Sequence, residues 1–324
     1  MGMTRMGERD VTNHSAPNVA GTRTSRRWAW LGGVVGVGMA LAIMLQLRGA
    51  TDTVLTTMAR LPPLVWPALL MLYLIQPLSD FVVYRQLWNL PPAGLAALLR
   101  KNVINEVVLG YSGDAYFYVW ARREADTAVA PLAAIKDAGI VSALLGNALT
   151  LVLAAISATR LRELDFIRQV GPAFWSGVIP LAISVGVLLF GRRVFSLRLA
   201  QLVYIGAVCG LRLAIWTGLT LLIWRMALPE VPLGAWIVLL AIRCLVSRIP
   251  LISNKDLVFG NLVLLLLGAQ APIAVLLAAL ALVTLLLHLL VIVGLGAADL
   301  IRGRRASLGG AIGAAATETG AAHD

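Results

Sequence analysis

The sequence predicts an all-α protein, a polytopic bundle of transmembrane helices with about eight crossings and two broken or re-entrant segments. Three observations predict it. The 324 residues are 59% hydrophobic and only 13% charged, where soluble domains carry about 25% charged residues. Mean hydropathy is +0.85, and several apolar runs reach the roughly 20 residues that cross a bilayer. The runs are continuous, not alternating in roughly ten-residue segments, which excludes a β-barrel. The net charge of +11 does not point to nucleic acid. The basic residues sit in short clusters between apolar runs, the usual orientation signal of a membrane protein.

Residues 1–27 are polar and contain Arg5, Arg9, Arg23, Arg26 and Arg27. They read as a disordered cytoplasmic tail. The first span is 28–47. TSRRWAW resembles a twin-arginine secretory start, but the apolar run is long and no A-x-A site follows, so an uncleaved anchor is expected. The second span is 61–79. Residues 80–93, DFVVYRQLWNLPPA, read as an interfacial loop, with Trp88 as anchor and Pro91-Pro92 as punctuation. Residues 94–111 begin amphipathic, with Arg100 and Lys101, then turn apolar and break at 110–114. Further spans are 131–158, 174–190, 201–224, 233–246 and 272–297. The run 257–267 is too short to span unaided. Counting it as a crossing, and 105–123 as a hairpin, gives eight. Residues 28–298 form a single transmembrane domain, and 299–324 read as a disordered tail. Five arginines precede the first span, which puts the N-terminus in the cytoplasm. Arg192, Arg193 and Arg198, and later Arg302, Arg304 and Arg305, belong on the same side. Gly32/Gly36 and Gly206/Gly210 each form a GxxxG, read as close internal helix packing. Cys209 and Cys244 lie in apolar runs and read as small core residues.

Two polar breaks share a pattern. Leu109, Asp114 and Phe117 have the spacing of Leu251, Asp256 and Phe259. Each break precedes a proline that opens a long apolar run, Pro131 or Pro272. Each follows an ionisable residue at the same distance, Glu106 or Arg248. Transporter folds built from repeats place broken helices at corresponding positions, beside the substrate site. Non-helical backbone survives at membrane depth only when buried in protein or facing a wet cavity.

The run LLRKNVINEVVLGYSGDAYFYVWARREADTAVAPLAAIKDAGIVSALLGN resembles the family of the membrane region of lysylphosphatidylglycerol synthetases, whose stand-alone relatives are flippase-like. That family has a Pro-Gly-Arg-x-Gly-Asp/Glu break, which Gly110, Gly113 and Asp114 match. RIPLISNKDLVFGNLVLLLLGAQAP occupies the place of its second break. The resemblance extends over roughly 28–298, by order of elements more than by identity. Leu109 stands where the family has Pro, and Tyr111 where it has Arg. Tyr118 sits near the place of a following Arg. Asn254, Lys255 and Leu257 replace glycines of the second break, and Phe259 and Gly260 stand near the family's Arg-Glu. The fold therefore carries over better than the substrate. No aminoacyl-transferring domain is expected after residue 298, so lipid aminoacylation is not expected of this chain. The resemblance implies a multi-pass protein of the bacterial cytoplasmic (inner) membrane.

Each polar residue has a structural and a functional reading. Arg212, central in 201–224, either pairs with a carboxylate or broken-helix carbonyls, or contacts an anion with its guanidinium fork. Arg243 and Arg248 either snorkel to a helix end or face a cavity. Asp114 and Asp256 either cap the following helices or line a site. Glu106 either pairs with Arg100 or Lys101, or belongs to the site. Lys136 and Asp137 read as headgroup-level residues. His288 is a hydrogen-bonded core residue or a proton relay. The candidate substrate-binding set is Glu106, Tyr111, Asp114, Arg212, Arg243, Arg248, Lys255 and Asp256. No nucleophile–base pair, metal-ligand spacing or phosphate loop is present, so no catalysis, cofactor or metal is expected. Two functions stand. One is a translocase moving a lipid or lipid-linked headgroup between leaflets without ATP. The other is a non-transporting scaffold for an envelope-lipid or polysaccharide enzyme. The partners expected are membrane lipids, and in the second case that enzyme.

Overall fold

The computed structural model describes residues 41, 56–108, 111–124, 129–160, 195–248, 254–268 and 271–320. The expected spans 28–47 and 174–190, the N-terminal tail and Arg192–Arg193 lie outside the described residues. Eight main helices are present among them: α1 (Val65–Leu87), α2 (Ala93–Val107), α3 (Ser112–Glu124), α4 (Pro131–Arg160), α5 (Leu199–Ala227), α6 (Leu233–Ser247), α7 (Lys255–Leu267) and α8 (Pro272–Gly320). Pro131 and Pro272 each open a long helix, at the position where a missing N–H costs nothing. Only α1, α4, α5 and α8 are long and apolar enough to cross a bilayer. With 15 and 13 residues, α6 and α7 reach about 22 and 20 Å, short of a hydrocarbon core of about 30 Å. The described residues therefore support a membrane helix bundle but not eight full crossings. The pair α2 and α3 has the same two lengths, 15 and 13 residues.

Contacts between helix ends fix their directions. Trp88, just past α1, donates its indole N–H to the Val129 carbonyl before α4, at 3.2 Å. Asp137, near the start of α4, accepts the Ser196 and Leu197 N–H groups before α5, at 2.7 Å each. Arg100 of α2 pairs with Asp299 of α8 at 2.5 Å. These contacts gather one end of the bundle. At the other end, Leu61, Val65, Trp224, Trp236 and Ala274 share one hydrophobic cluster. Hence α1 runs opposite to α5, and α4 opposite to α8. The units α1–α4 and α5–α8 repeat one order: a long helix, two short helices, and a long helix opened by proline. They run in opposite directions, the arrangement of an inverted repeat. Each pair of short helices leans on the other unit, α2 against α8 and α6 against α4.

Each end has its own core. Around Phe117, Tyr84 and Trp88 pack with ring centroids 4.9 and 6.0 Å away. Around Trp224 at the opposite end, Trp236 and Phe259 lie at 5.5 and 6.2 Å. Phe117 and Phe259, matched in sequence, are both buried.

Several expectations change. Residues 80–87 continue α1 instead of forming a loop, because no proline or glycine lies between Asp80 and Pro91 and the polar Asp80 finds partners inside. Trp88 is 2% exposed, a core residue and not an interfacial anchor. Helix α8 passes the expected boundary at 298 and runs to Gly320; no proline beyond Pro272 interrupts it. Of the second GxxxG, a Cβ added at Gly206 would lie 3.9 Å from the Val141 side chain, and one at Gly210 would meet nothing within 4 Å.

Regular helix stops at Val107 and resumes at Ser112. Among the described residues Tyr111, in this break, has φ 72°, and Asn254, just before α7, has φ 52°; Gly110 lies outside the described residues. Asn tolerates this region; for Tyr it costs roughly 1–2 kcal/mol. Gly113 serves a different purpose. A Cβ there would lie 2.0 Å from the Lys101 backbone oxygen, so glycine lets α3 fold tightly onto α2. Gly113→Ala should therefore destabilise the protein by about 1–3 kcal/mol through overpacking. Gly218→Ala, where nothing lies within 4 Å, should be neutral or slightly stabilising. Thermal unfolding of both variants in detergent checks the contrast.

Candidate functional site

Where the four short helices meet, a cavity of ≈460 Å³ opens between the two cores. Its long-helix walls come from the middles of the spans: Tyr73 to Asp80 of α1, Ser142 and Gly146 of α4, Arg212 of α5, and Thr284 and His288 of α8. It therefore sits at mid-depth of the apolar bundle. All eight candidate residues line it: Glu106, Tyr111, Asp114, Arg212, Arg243, Arg248, Lys255 and Asp256. Sequence reasoning missed two further lining residues that organise it, Asp80 and Lys101.

Lys101 is 8% exposed and bridges two carboxylates, Asp80 at 2.9 Å and Asp114 at 3.1 Å. Its ammonium also lies 5.6 Å from the Tyr84 ring centroid and 5.8 Å from that of Phe117, a favourable approach to aromatic faces. The second oxygen of Asp80 takes Gln76 at 3.0 Å and faces Arg212 at 3.6 Å. Arg212 donates to Ser142 at 2.7 Å. Asn105 holds the break from inside: its carbonyl oxygen accepts the Gly113 N–H at 2.7 Å, and its amide donates to Asp114 at 3.1 Å. The structural reading of Arg212 is thus met by pairing; Asp114, expected as a cap, sits in the first turn of α3 and is paired with Lys101, and both still face the cavity.

The second unit repeats this device. Arg243 of α6 forks onto one oxygen of Asp256 at 3.0 and 2.7 Å, and its guanidinium lies 4.8 Å from the Trp216 ring centroid. Lys101 precedes Asp114 by 13 residues, the separation of Arg243 and Asp256. In each unit, then, a cation on the first short helix holds a carboxylate on the second and covers an aromatic ring. This equal spacing is the signal that could have identified Lys101 from sequence.

The two breaks touch. The Asn254 N–H donates to the Glu106 carbonyl oxygen at 2.7 Å. Glu106 does not pair with Arg100 or Lys101, which are engaged by Asp299 and by Asp80 and Asp114. It lies within electrostatic reach of Lys255, Asp256 and Arg243. Arg248 packs against Gly146, where a Cβ would come within 2.5 Å of its guanidinium. His288 accepts from or donates to the Tyr73 hydroxyl at 3.0 Å, as a hydrogen-bonded core histidine does. Lys136 and Asp137 belong elsewhere: Asp137 is fully buried and holds the turn before α5.

Among the described residues, five cations face four carboxylates in this cavity. Charges at such depth persist only when paired or solvated. Removing one partner of a buried pair strands the other, at a cost of about 3–5 kcal/mol. Asp80→Asn, which weakens the hold on both Lys101 and Arg212, should show a loss of that size in unfolding experiments. Asp299→Asn breaks only the Arg100 pair, whose side chains are 27% and 54% exposed, and should cost less than about 1 kcal/mol. Equal losses would contradict this account of the cluster.

Comparison of the chain with protein-family models, curated proteins and solved structures finds no match.

Proposed function

We propose that this protein moves a lipid or lipid-linked headgroup between leaflets without ATP hydrolysis, as a flippase-like carrier. The observation that supports this best is the mid-depth cavity, lined by charged residues from two inverted units with broken helices. Transporter folds bind substrate at this place, near the midplane and between repeats. Intramembrane charges that face a cavity mark substrate or ion pathways. The likeness of the first break to the membrane region of lysylphosphatidylglycerol synthetases points the same way and belongs to the same proposal, as does a place in the bacterial cytoplasmic membrane. The paired charges favour the second reading, a non-transporting scaffold for an envelope enzyme, because a satisfied polar core needs no ligand.

The finer topology is also proposed. Arg85, Arg100, Arg122, Arg123, Lys136 and Arg198 gather at the end where α1 finishes, and the positive-inside rule puts that end in the cytoplasm. Spans at 28–47 and 174–190, added to the four long helices, give six crossings with α2/α3 and α6/α7 as re-entrant pairs. Counting α6 and α7 as crossings gives eight. Both counts are even and leave both termini in the cytoplasm. Single cysteines at Arg198 and Glu230, in a background lacking Cys209 and Cys244, should react with an impermeant maleimide from opposite faces. Reaction from one face would overturn this orientation.

Function is tested in vesicles. Asp114→Asn and Arg212→Gln should slow the movement of fluorescent phospholipid by about tenfold or more, a barrier change of about 1.4 kcal/mol, while folded protein is still recovered. A wild type that moves no lipid, or variants as fast as it, would leave the scaffold reading standing.

A further inference from the structure

Glu106 differs from the other carboxylates that line the cavity among the described residues. Lys101 holds Asp80 at 2.9 Å and Asp114 at 3.1 Å, and Arg243 holds Asp256 at 2.7 Å. The Glu106 carboxylate forms no ion pair and no hydrogen bond with a described residue. It nevertheless belongs to the cavity wall at mid-depth, where Glu106 is only partly buried.

The backbone fixes what surrounds it. The Asn254 N–H donates to the Glu106 carbonyl oxygen at 2.7 Å, which brings the end of α2 to the start of α7. Lys255 and Asp256 on α7 and Arg243 on α6 lie within electrostatic reach of the carboxylate. So does Tyr73 on α1, whose hydroxyl is bonded to His288 of α8 at 3.0 Å. From α3, Asp114 lines the same cavity.

An ionised carboxylate without a contact partner is costly at this depth, and a proton removes the charge. Protonating Asp80, Asp114 or Asp256 would instead strand a cation in direct contact. A polar cavity of ≈460 Å³ has room for water, which delivers and accepts the proton. In the second unit the matching place, at the same distance before Asp256, holds Arg248, and a guanidinium stays protonated. Of the two matched places, only Glu106 titrates.

We propose that Glu106 is a proton-binding site, and that one proton taken up and released there drives the carrier. Ionised, Glu106 is drawn to Lys255 and to the positive start of α7, which ties the first unit to the second. Protonated, it loses that attraction and keeps only the backbone bond from Asn254. Alternating access rocks one repeat against the other, so the state of Glu106 sets how readily the two units part. The proton enters from water on one side of the membrane and leaves to water on the other. Its gradient supplies the energy in place of ATP. The coupling rests on the carrier reading; the proton site does not.

Proton binding is read apart from lipid movement. Infrared difference spectra of the full chain in phosphatidylcholine vesicles, taken as the pH is lowered, show the carbonyl stretch of each carboxyl that gains a proton. The wild type should show a band that Glu106→Gln lacks and Glu106→Asp keeps. Lys255→Gln removes a cation that favours the charged carboxylate, so the band should appear about one pH unit higher, a roughly tenfold gain in proton affinity. In the same vesicles, a gradient of about one pH unit should speed wild-type movement of fluorescent phospholipid about tenfold. It should leave Glu106→Gln unchanged, while Asp299→Asn responds as the wild type does. A band that survives Glu106→Gln, or does not move in Lys255→Gln, would overturn the site. A wild type that moves lipid equally fast with and without the gradient would overturn the coupling. A wild type that moves no lipid, with the band behaving as expected, sinks the carrier reading and keeps the site.

Discussion

Asp80, Lys101, Asp114 and Arg212 form a charge cluster at mid-depth of an apolar bundle, and much of the architecture answers to it. None of the four could be left alone there without a large desolvation cost. Their pairing joins α1, α2, α3 and α5, with Ser142 of α4 as a further acceptor. An unbroken α2–α3 helix would carry Asp114 more than a helical turn away from Lys101. The break is thus part of the solution to the charge problem, and Gly113 is the residue that lets the chain fold back closely enough.

Breaking a helix at this depth raises a second requirement, since freed backbone groups need partners. The partners come from nearby polar groups. Asn105 takes the Gly113 N–H, and the Ser112 hydroxyl donates to the Ile104 carbonyl at 3.3 Å. The Glu106 carbonyl takes the Asn254 N–H across the repeat. This last bond couples the two breaks directly, so a shift of one hairpin is felt at the tip of the other. Two aromatic cores, one at each end, hold the outer parts of the bundle. The polar cavity lies between them, where packing is least complete.

The two units are alike but not identical where they line the cavity. Here the ion pairs and buried phenylalanines are duplicated, while Glu106 and Arg248 differ in sign. The shared features support the scaffold of each unit. Among the described residues, the lining carries one cation more than its carboxylates.

The sequence by itself determined the class: continuous apolar runs of this length are stable only as helices in a bilayer, because composition and hydrogen bonding leave no other choice. It also disclosed the matched breaks, since Asp114/Phe117 and Asp256/Phe259 repeat one spacing, and the eight residues chosen from the breaks and from charges within apolar runs line one cavity. Pairing was not legible. Asp80 read as the start of a loop because a lone carboxylate looks like an exit from the membrane, until Lys101 from another helix is placed beside it. Tyr111 carried no sign of its left-handed φ. The segments of α6 and α7 read as crossings because hydropathy records polarity along the chain, whereas helices of 15 and 13 residues fall short of a hydrocarbon core of about 30 Å. Partner choice and backbone strain depend on residues far apart in the chain, so only the tertiary structure decided them.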